Sequence, residues 1–484
     1  MARDIHGAVD EAMTRWFGSS RMSYRAVLGL LGPVVVSQAF ATGFWAFTPM
    51  LVSKAGVEAI SAVSTVDYLN IVWMSVFLAL GTAGSVLVAH RLGGGDAPGV
   101  RRAVAGTIWA VALPAAVVGA SMIAFQGPLL GTLLGGAGPR VLALGHTYLM
   151  GAALSYPAYA LVEGASAVLR GLAHTRPALA LTVTSNGGFL LLATILVRGA
   201  NLGVTGLAVS LIAARWATVG LAWWVLRHDG LLAGGGGVRV WPFDARLTGR
   251  ILLLGIPFVA EQLLFNGGKL VIQFFVVGLG VAQMTVNAIG GSLVNLAEMV
   301  PWAMAVALVP VIGQAVGAGD YADARRLLKS FLGASVVAAI VTSLLLLAAF
   351  TPLIGLYHLP AALVGQIKLV FLIAAAGRVC GLWTLAYVLP GGLRAAGDTV
   401  FTTVVAGVCM AYRVSFSWLI GVYWGYGIVG IWAVMTSEWV LRGIAFAVRF
   451  HGRHWERRAF LAPPPVRKAP SDAAPVSLAS DAVA

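Results

Sequence analysis

Charge is what this sequence has least of. Asp, Glu, Lys and Arg supply 10% of its 484 residues, where a soluble globular chain uses about 25%. With 59% hydrophobic residues and a mean hydropathy of +0.89, a water-soluble enzyme is excluded. Cysteine is nearly absent as well. Cys380 and Cys409 lie in separate apolar runs without CxxC spacing, so neither a disulfide framework nor a cysteine metal site is expected. Strand-like alternation in stretches of ~10 residues, the signature of a membrane barrel, is missing. The remaining way to satisfy backbone groups in lipid is the helix. No GxSxG elbow, HExxH pair, Walker loop or paired DxxxD set occurs, so neither an enzyme nor an ATP-driven machine is expected, and no cofactor is implied. Residues 1–24 carry Asp4, Asp10 and Glu11 without a continuous apolar core, unlike a cleavable signal peptide.

What the chain does have is apolar runs. Twelve are long enough to span a bilayer, at roughly 26–52, 60–90, 102–128, 141–169, 177–198, 204–227, 250–276, 284–313, 327–350, 364–390, 399–423 and 426–448, since a span needs ~20 apolar residues. Pro157 and Pro390 are candidate kinks. Before the first run lies an arm, 1–25, in which Ile5, Val9, Met13 and Trp16 recur at helical spacing, a pattern that suits a helix on lipid headgroups or a disordered arm. Between runs six and seven, 229–249 contains Gly234 to Gly237 and reads as a linker. The tail, 451–484, becomes rich in Ala, Pro and Ser after Arg458 and is expected to be disordered. The net charge of +14 fits an anionic membrane surface better than nucleic acid in a chain this apolar. With the N-terminus inside, inner segments hold 23 of the 32 Lys and Arg and outer loops hold four. That bias places both termini in the cytoplasm of a plasma-membrane protein.

The sequence repeats itself at one offset. Pro33 and Pro257, Gln38 and Gln262, Gly56 and Gly280, Gly93 and Gly317, Asp96 and Asp320, Arg170 and Arg394, and Gly203 and Gly427 are all 224 residues apart. Each half, 26–228 and 250–450, holds six spans, so both enter the membrane from the same side as parallel repeats. The expected architecture is therefore an all-α polytopic membrane protein of twelve transmembrane helices, its two six-helix repeats forming a V-shaped cleft.

Five carboxylates fall inside spans: Asp67, Glu163, Glu261, Glu298 and Glu438. Each costs at least ~2.5 kcal/mol at mid-helix and is a functional candidate by default. Glu438 precedes Arg442 by four residues, which suits a structural ion pair, and Glu163 lies within reach of Arg170 or water. Arg215 and Arg413 read as ion pairs within a lobe or as snorkelling side chains rather than substrate ligands. Glu261, Glu298 and Asp67 sit where the pattern is polar at helical spacing. Gln262, Asn266, Lys269 and Gln273 form one stripe with Glu261 at its edge; Gln38, Thr42 and Trp45 are on the equivalent stripe of the first span. Asn287, Asn295 and Glu298 mark the eighth span, and Asp67 and Asn70 the second. These stripes line a substrate cleft or hold helices together by hydrogen bonds. Asp67, Glu261 and Glu298 have no acidic repeat partner, so the shared scaffold does not require them. They are the expected proton or cation sites.

The stretches GTAGSVLVAHRLGGGD, ALVPVIGQAVGAGD, GIPFVAEQLL, VLRGLAHTRP, GGLRAAGDT and GYGIVGIWAVMTSEWVLR together resemble the multidrug and toxic compound extrusion (MATE) transporters, with similarity over nearly all of 26–450. The resemblance implies export of amphipathic, often cationic compounds against a proton or sodium gradient. Asn186 matches the family's helix-five Asn, and Glu261 a helix-seven Glu found in part of the family. Family acids in helices one, five and ten are replaced by Thr48, Leu190 and Trp383, which moves the expected coupling to Glu261, helped by Glu298 or Asp67. The expected partners are a small-molecule substrate and the lipid bilayer, with the protein acting as a monomer. The alternative function is a lipid-linked oligosaccharide flippase of the same superfamily.

Overall fold

The computed structural model describes residues 10–11, 13–18, 23–52, 56–134, 138–229, 243–355, 357, 359–452 and 454–457, with the side chains of 41–50, 52 and 57 excepted. Among the described residues twelve long helices, with shorter ones such as Gln126–Leu134 between them, run in chain order: α1 (Leu31–Val52), α2 (Val57–Gly93), α3 (Ala97–Ala124), α4 (Pro139–Gly171), α5 (Thr175–Gly199), α6 (Gly203–His228), α7 (Ala245–Gly278), α8 (Val281–Gly317), α9 (Tyr321–Ala348), α10 (in pieces Ala361–Val379, Leu382–Tyr387 and Leu389–Ala395), α11 (Thr399–Tyr423) and α12 (Gly427–His451). Ten are long and apolar enough to cross a membrane by length and composition among the described residues. The other two are α1 and α4. At 33 residues α4 is long enough, but most of its length is buried in the first lobe, where lipid does not dictate its composition.

The repeat survives in the backbone. The bounds of α2 and α8 differ by 224, as do those of α3 and α9. Local chemistry explains this register. Asp96 and Asp320 cap α3 and α9 by accepting from the backbone N–H of Gly99 (2.8 Å) and Asp323 (2.9 Å). Gly95 and Gly319, which precede these caps, take φ of +74° and +78°, a conformation a side chain resists. The equivalent positions Pro157 and Gly381 disturb their helices differently: Pro157 lies within an unbroken α4, whereas Gly381, at φ +75°, ends one piece of α10 and starts the next. A second break in α10, at Val388 between Tyr387 and Leu389, falls beside Pro390, where the sequence placed a candidate kink.

Helix α7 begins at Ala245, inside the stretch read as a linker, because Asp244 caps it by accepting from Leu247 N–H at 3.0 Å. Most of that linker and the tail beyond Arg457 lie outside the described residues. The arm contributes a helical turn whose Phe17 is buried against Phe331 of α9, ring centroids 5.9 Å apart. Arg326 of α9 donates to the carbonyl of Arg15 at 3.0 Å. Trp16 remains exposed.

The lobes meet along α2 and α8, with α7 packed on α2 and α3 and with α1 packed on α8. Across this seam, glycines in close contact with the opposite lobe include Gly93, Gly106, Gly255, Gly313 and Gly317. All five lie toward the end holding the α2–α3, α4–α5, α8–α9 and α10–α11 turns, here called the basic end for its arginines.

Candidate functional site

Between the lobes lies a cleft of about 450 Å³. Helices from both halves line it, with Gln38, Asn186, Gln262, Phe265, Trp302 and Tyr387 among its side chains. Its wall is aromatic on the second lobe: Tyr387 packs against Trp302, Trp383 and Phe265 at centroid distances of 6.1, 5.3 and 6.5 Å. Broad ring faces suit amphipathic and cationic ligands.

At the basic end of the cleft stand two ion pairs. Arg170 donates to Glu163 Oε1 at 2.7 Å, and Arg394 donates to Glu261 Oε1 at 2.6 Å. All four residues line the cleft. Glu261 Oε2 is buried with no hydrogen-bond partner, an unusual state for a carboxylate oxygen. The sequence placed Glu261 at the edge of the polar stripe of α7; the structure pairs it with Arg394, in the last piece of α10. Arg442 also reaches the cleft. Its guanidinium is tied to Glu438 at 3.0 Å, and Glu438 is bound from its other side by Arg413. Arg413 in turn donates to Tyr387 OH at 2.9 Å. Glu438 is thus the centre of a buried triad behind the cleft wall.

The other two carboxylates lie elsewhere. Asp67 faces the interior of the first lobe, where its Oδ1 accepts from Asn70 Nδ2 and from Tyr148 OH, both at 2.9 Å. Asn70 Oδ1 accepts from Tyr156 OH at 2.7 Å, and Arg215 donates to Ser155 Oγ at 2.6 Å beside this network. Glu298 lies 3.7 Å from Arg378, which also donates to Ser343 Oγ at 3.2 Å.

Of the residues expected to line the cleft, Gln38, Asn186 and Gln262 do so. Asn70, Asn266, Lys269, Gln273, Asn287 and Asn295 are not part of its wall, and the side chains of Thr42 and Trp45 lie outside the described residues. The stripe on α7 outruns the cavity. Only its first turn meets the cleft, whereas Asn266 donates to Ser75 Oγ of α2 at 3.1 Å and Lys269 lies 4.3 Å over the Phe265 ring. Asn287 accepts from Trp432 Nε1 at 3.1 Å, a bond within the second lobe.

The sequence pattern of the MatE family matches residues 33–196 and again 257–419, one match per lobe. The chain belongs to the MatE family. As a MatE protein it is a membrane transporter. Multidrug resistance protein PmpM of Pseudomonas aeruginosa is 25% identical over 435 residues, covering 87% of this chain and 85% of its own length. A probable multidrug resistance protein NorM of Bradyrhizobium diazoefficiens is 27% identical over 414 residues, 79% and 83% of the two chains. Among solved structures, a variant of the Vibrio cholerae MATE transporter VcmN superposes with a TM-score of 0.79 at 18% identity, covering 90% of this chain and 98% of its own. A MOP superfamily transporter from Pyrococcus furiosus gives 0.78 at 17% identity, covering 91% and 97%. These structural likenesses establish the MatE fold.

In this MatE transporter the sequence missed Arg394 and Tyr387 as cleft residues. One signal pointed to Arg394: its repeat partner Arg170 had already been placed beside Glu163. Tyr387 is the repeat partner of Glu163 itself, so the equivalent face of α10 was legible too.

Proposed function

We propose that this protein exports amphipathic, cationic small molecules across the plasma membrane in exchange for H⁺ or Na⁺, by alternating access, with its basic end and both termini in the cytoplasm. Support for the substrate class comes from the aromatic wall and the two acids of the cleft. Support for the orientation comes from the arginines at the basic end. The coupling reading rests on one observation: Glu261 is held by Arg394 through one oxygen while Oε2 lies buried without a partner. That oxygen is a seat for a proton or a small cation. Loading it weakens the hold on Arg394, and a cationic substrate competes for the same negative charge, so ion and substrate occupy the cleft in turn. Asp67 and Glu298 are the secondary coupling sites.

The flippase alternative requires free cationic groups for a pyrophosphate. Arg170, Arg394 and Arg442 all reach the cleft, yet each is already bound by a carboxylate, which favours the exporter. Purified protein in liposomes, given independent proton and sodium gradients and a fluorescent organic cation, tests the proposal. Wild type is expected to accumulate the cation against its gradient, and Glu261→Gln to fold but fail to do so. Export by Glu261→Gln at the wild-type rate with unchanged ion dependence would overturn the coupling assignment.

A further inference from the structure

Among the described residues, two hydrogen bonds that join the lobes at the basic end are related by the repeat. His90 of α2 makes a 2.6 Å bond through Nε2 to the carbonyl of Ala395, the last residue of α10. Gln314 of α8 donates through Nε2 to the carbonyl of Gly171, the last residue of α4, at 3.3 Å. His90 and Gln314 are 224 residues apart, and so are Gly171 and Ala395. Each lobe therefore reaches across the seam and holds the final carbonyl of the other lobe's cleft-lining helix. A carbonyl at a helix end has no partner within its helix, so both acceptors are available to the opposite lobe.

The surroundings are built for this contact. His90 is fully buried and Gln314 nearly so. A Cβ added to Gly93 would come within 2.0 Å of the Gln314 carbonyl oxygen, and one added to Gly317 within 2.1 Å of the His90 carbonyl oxygen. A Cβ on Gly313 would meet that of Ala89 at 2.7 Å. Thus α2 and α8 touch backbone to backbone here, through small residues spaced four apart. The layer adjoins the cleft: Arg170 and Arg394, which line its basic end, directly precede Gly171 and Ala395, and Ala395 lines it too.

We propose that His90 and Gln314 are the paired residues of an inner gate, whose two reciprocal bonds to the Ala395 and Gly171 carbonyls hold the cleft shut toward the cytoplasm and break together when it opens there. The inference rests on the alternating-access orientation proposed above. It adds the residues that set the closed state. A bond within one lobe would survive rocking of the lobes; these two cross between lobes and cannot. Once they part, two buried donors and two helix-end carbonyls lose their partners unless water enters, so opening and hydration of the basic end go together.

The test uses the full-length chain with Cys380 and Cys409 replaced by Ser and a reporter cysteine at Thr82, which lines the cleft. An impermeant maleimide is applied to right-side-out and inside-out membrane vesicles. The parent is expected to label from the outer face and resist from the cytoplasmic face. His90→Ala and Gln314→Ala should each raise cytoplasmic labelling several-fold and lower outer labelling. His90→Gln restores the chemistry that Gln314 uses and should label like the parent, which separates gating from general loss of packing. An outward-labelled parent whose two alanine variants are unchanged would overturn the gate alone. A parent that labels from the cytoplasmic face would overturn the closed-inside reading and, with it, the gate.

Discussion

Arg170 and Arg394 occupy equivalent places in the two lobes, and each holds a carboxylate that the other lobe lacks at that position. Arg170 binds Glu163, whose repeat partner is Tyr387; Arg394 binds Glu261, whose repeat partner is Ser37. The scaffold thus supplies two matched cations, and each lobe answers with an acid from a different helix, α4 in one and α7 in the other. The cleft is pseudo-symmetric in its bases and asymmetric in its acids. On the proposed mechanism Glu261 is the acid for which ion and substrate compete, whereas Glu163 only attracts substrate.

The two acids should therefore separate in kinetics. Glu163→Gln leaves Arg170 unpaired beside the substrate and is expected to raise the KM for a cationic substrate roughly tenfold, about 1.4 kcal/mol of binding, with ion coupling intact. Glu261→Gln is expected to abolish accumulation. Initial rates over a substrate series, with ion flux followed in parallel, distinguish the two outcomes.

Asp67→Asn and Glu298→Gln should weaken transport several-fold or change the preference between H⁺ and Na⁺. Both acids are held inside their lobes beside polar partners, Asp67 by Asn70 and Tyr148 and Glu298 by Arg378. Ion-dependent uptake in liposomes reads this directly, and wild-type behaviour of both variants would confine coupling to Glu261.

The triad of Glu438, Arg413 and Arg442 should act on stability. Glu438 is fully buried between the two guanidinium groups. Removing its charge leaves two cations facing each other out of water, at a cost of about 3–5 kcal/mol. Glu438→Gln is expected to lower the thermal unfolding midpoint in detergent far more than Glu163→Gln, whose pair is partly open to the cleft.

Topology is checked from the loops. A cysteine at Lys368 should react with an impermeant thiol reagent added to intact cells, and one at Ser471 only after lysis. The reverse pattern would invert the orientation.

Helix positions were legible in the sequence because the signals that end helices are local and occur twice. Asp96 and Asp320 cap, Gly95 and Gly319 turn, and one offset reports both. The cleft was less legible, because a polar stripe states which face of a helix avoids lipid but not how far a cavity extends along it. Gln262 lines the cleft, whereas Asn266, one turn on, spends its hydrogen bond on Ser75. Arg394 lies four residues beyond the tenth apolar run, and linear distance from a span does not show that a long side chain turns back into the protein. The Asp67 network was hidden for another reason: Tyr148 lies 81 residues away on α4, and no helical period connects them.

Pro157 and Gly381 give the two lobes different mechanics. Proline removes one hydrogen bond from α4 but leaves a continuous rod. Gly381 divides α10 into pieces joined by a left-handed residue. A push delivered at Gly171 travels along an unbroken strut, whereas the same push at Ala395 meets a joint after two short segments and can be taken up there. The second lobe is then the compliant side of the machine, and amide exchange around 380–389 should outpace that around 156–165. An inhibitor wedged against the jointed pieces of α10 would stall the cycle by stiffening it, without having to occupy the place of the cargo.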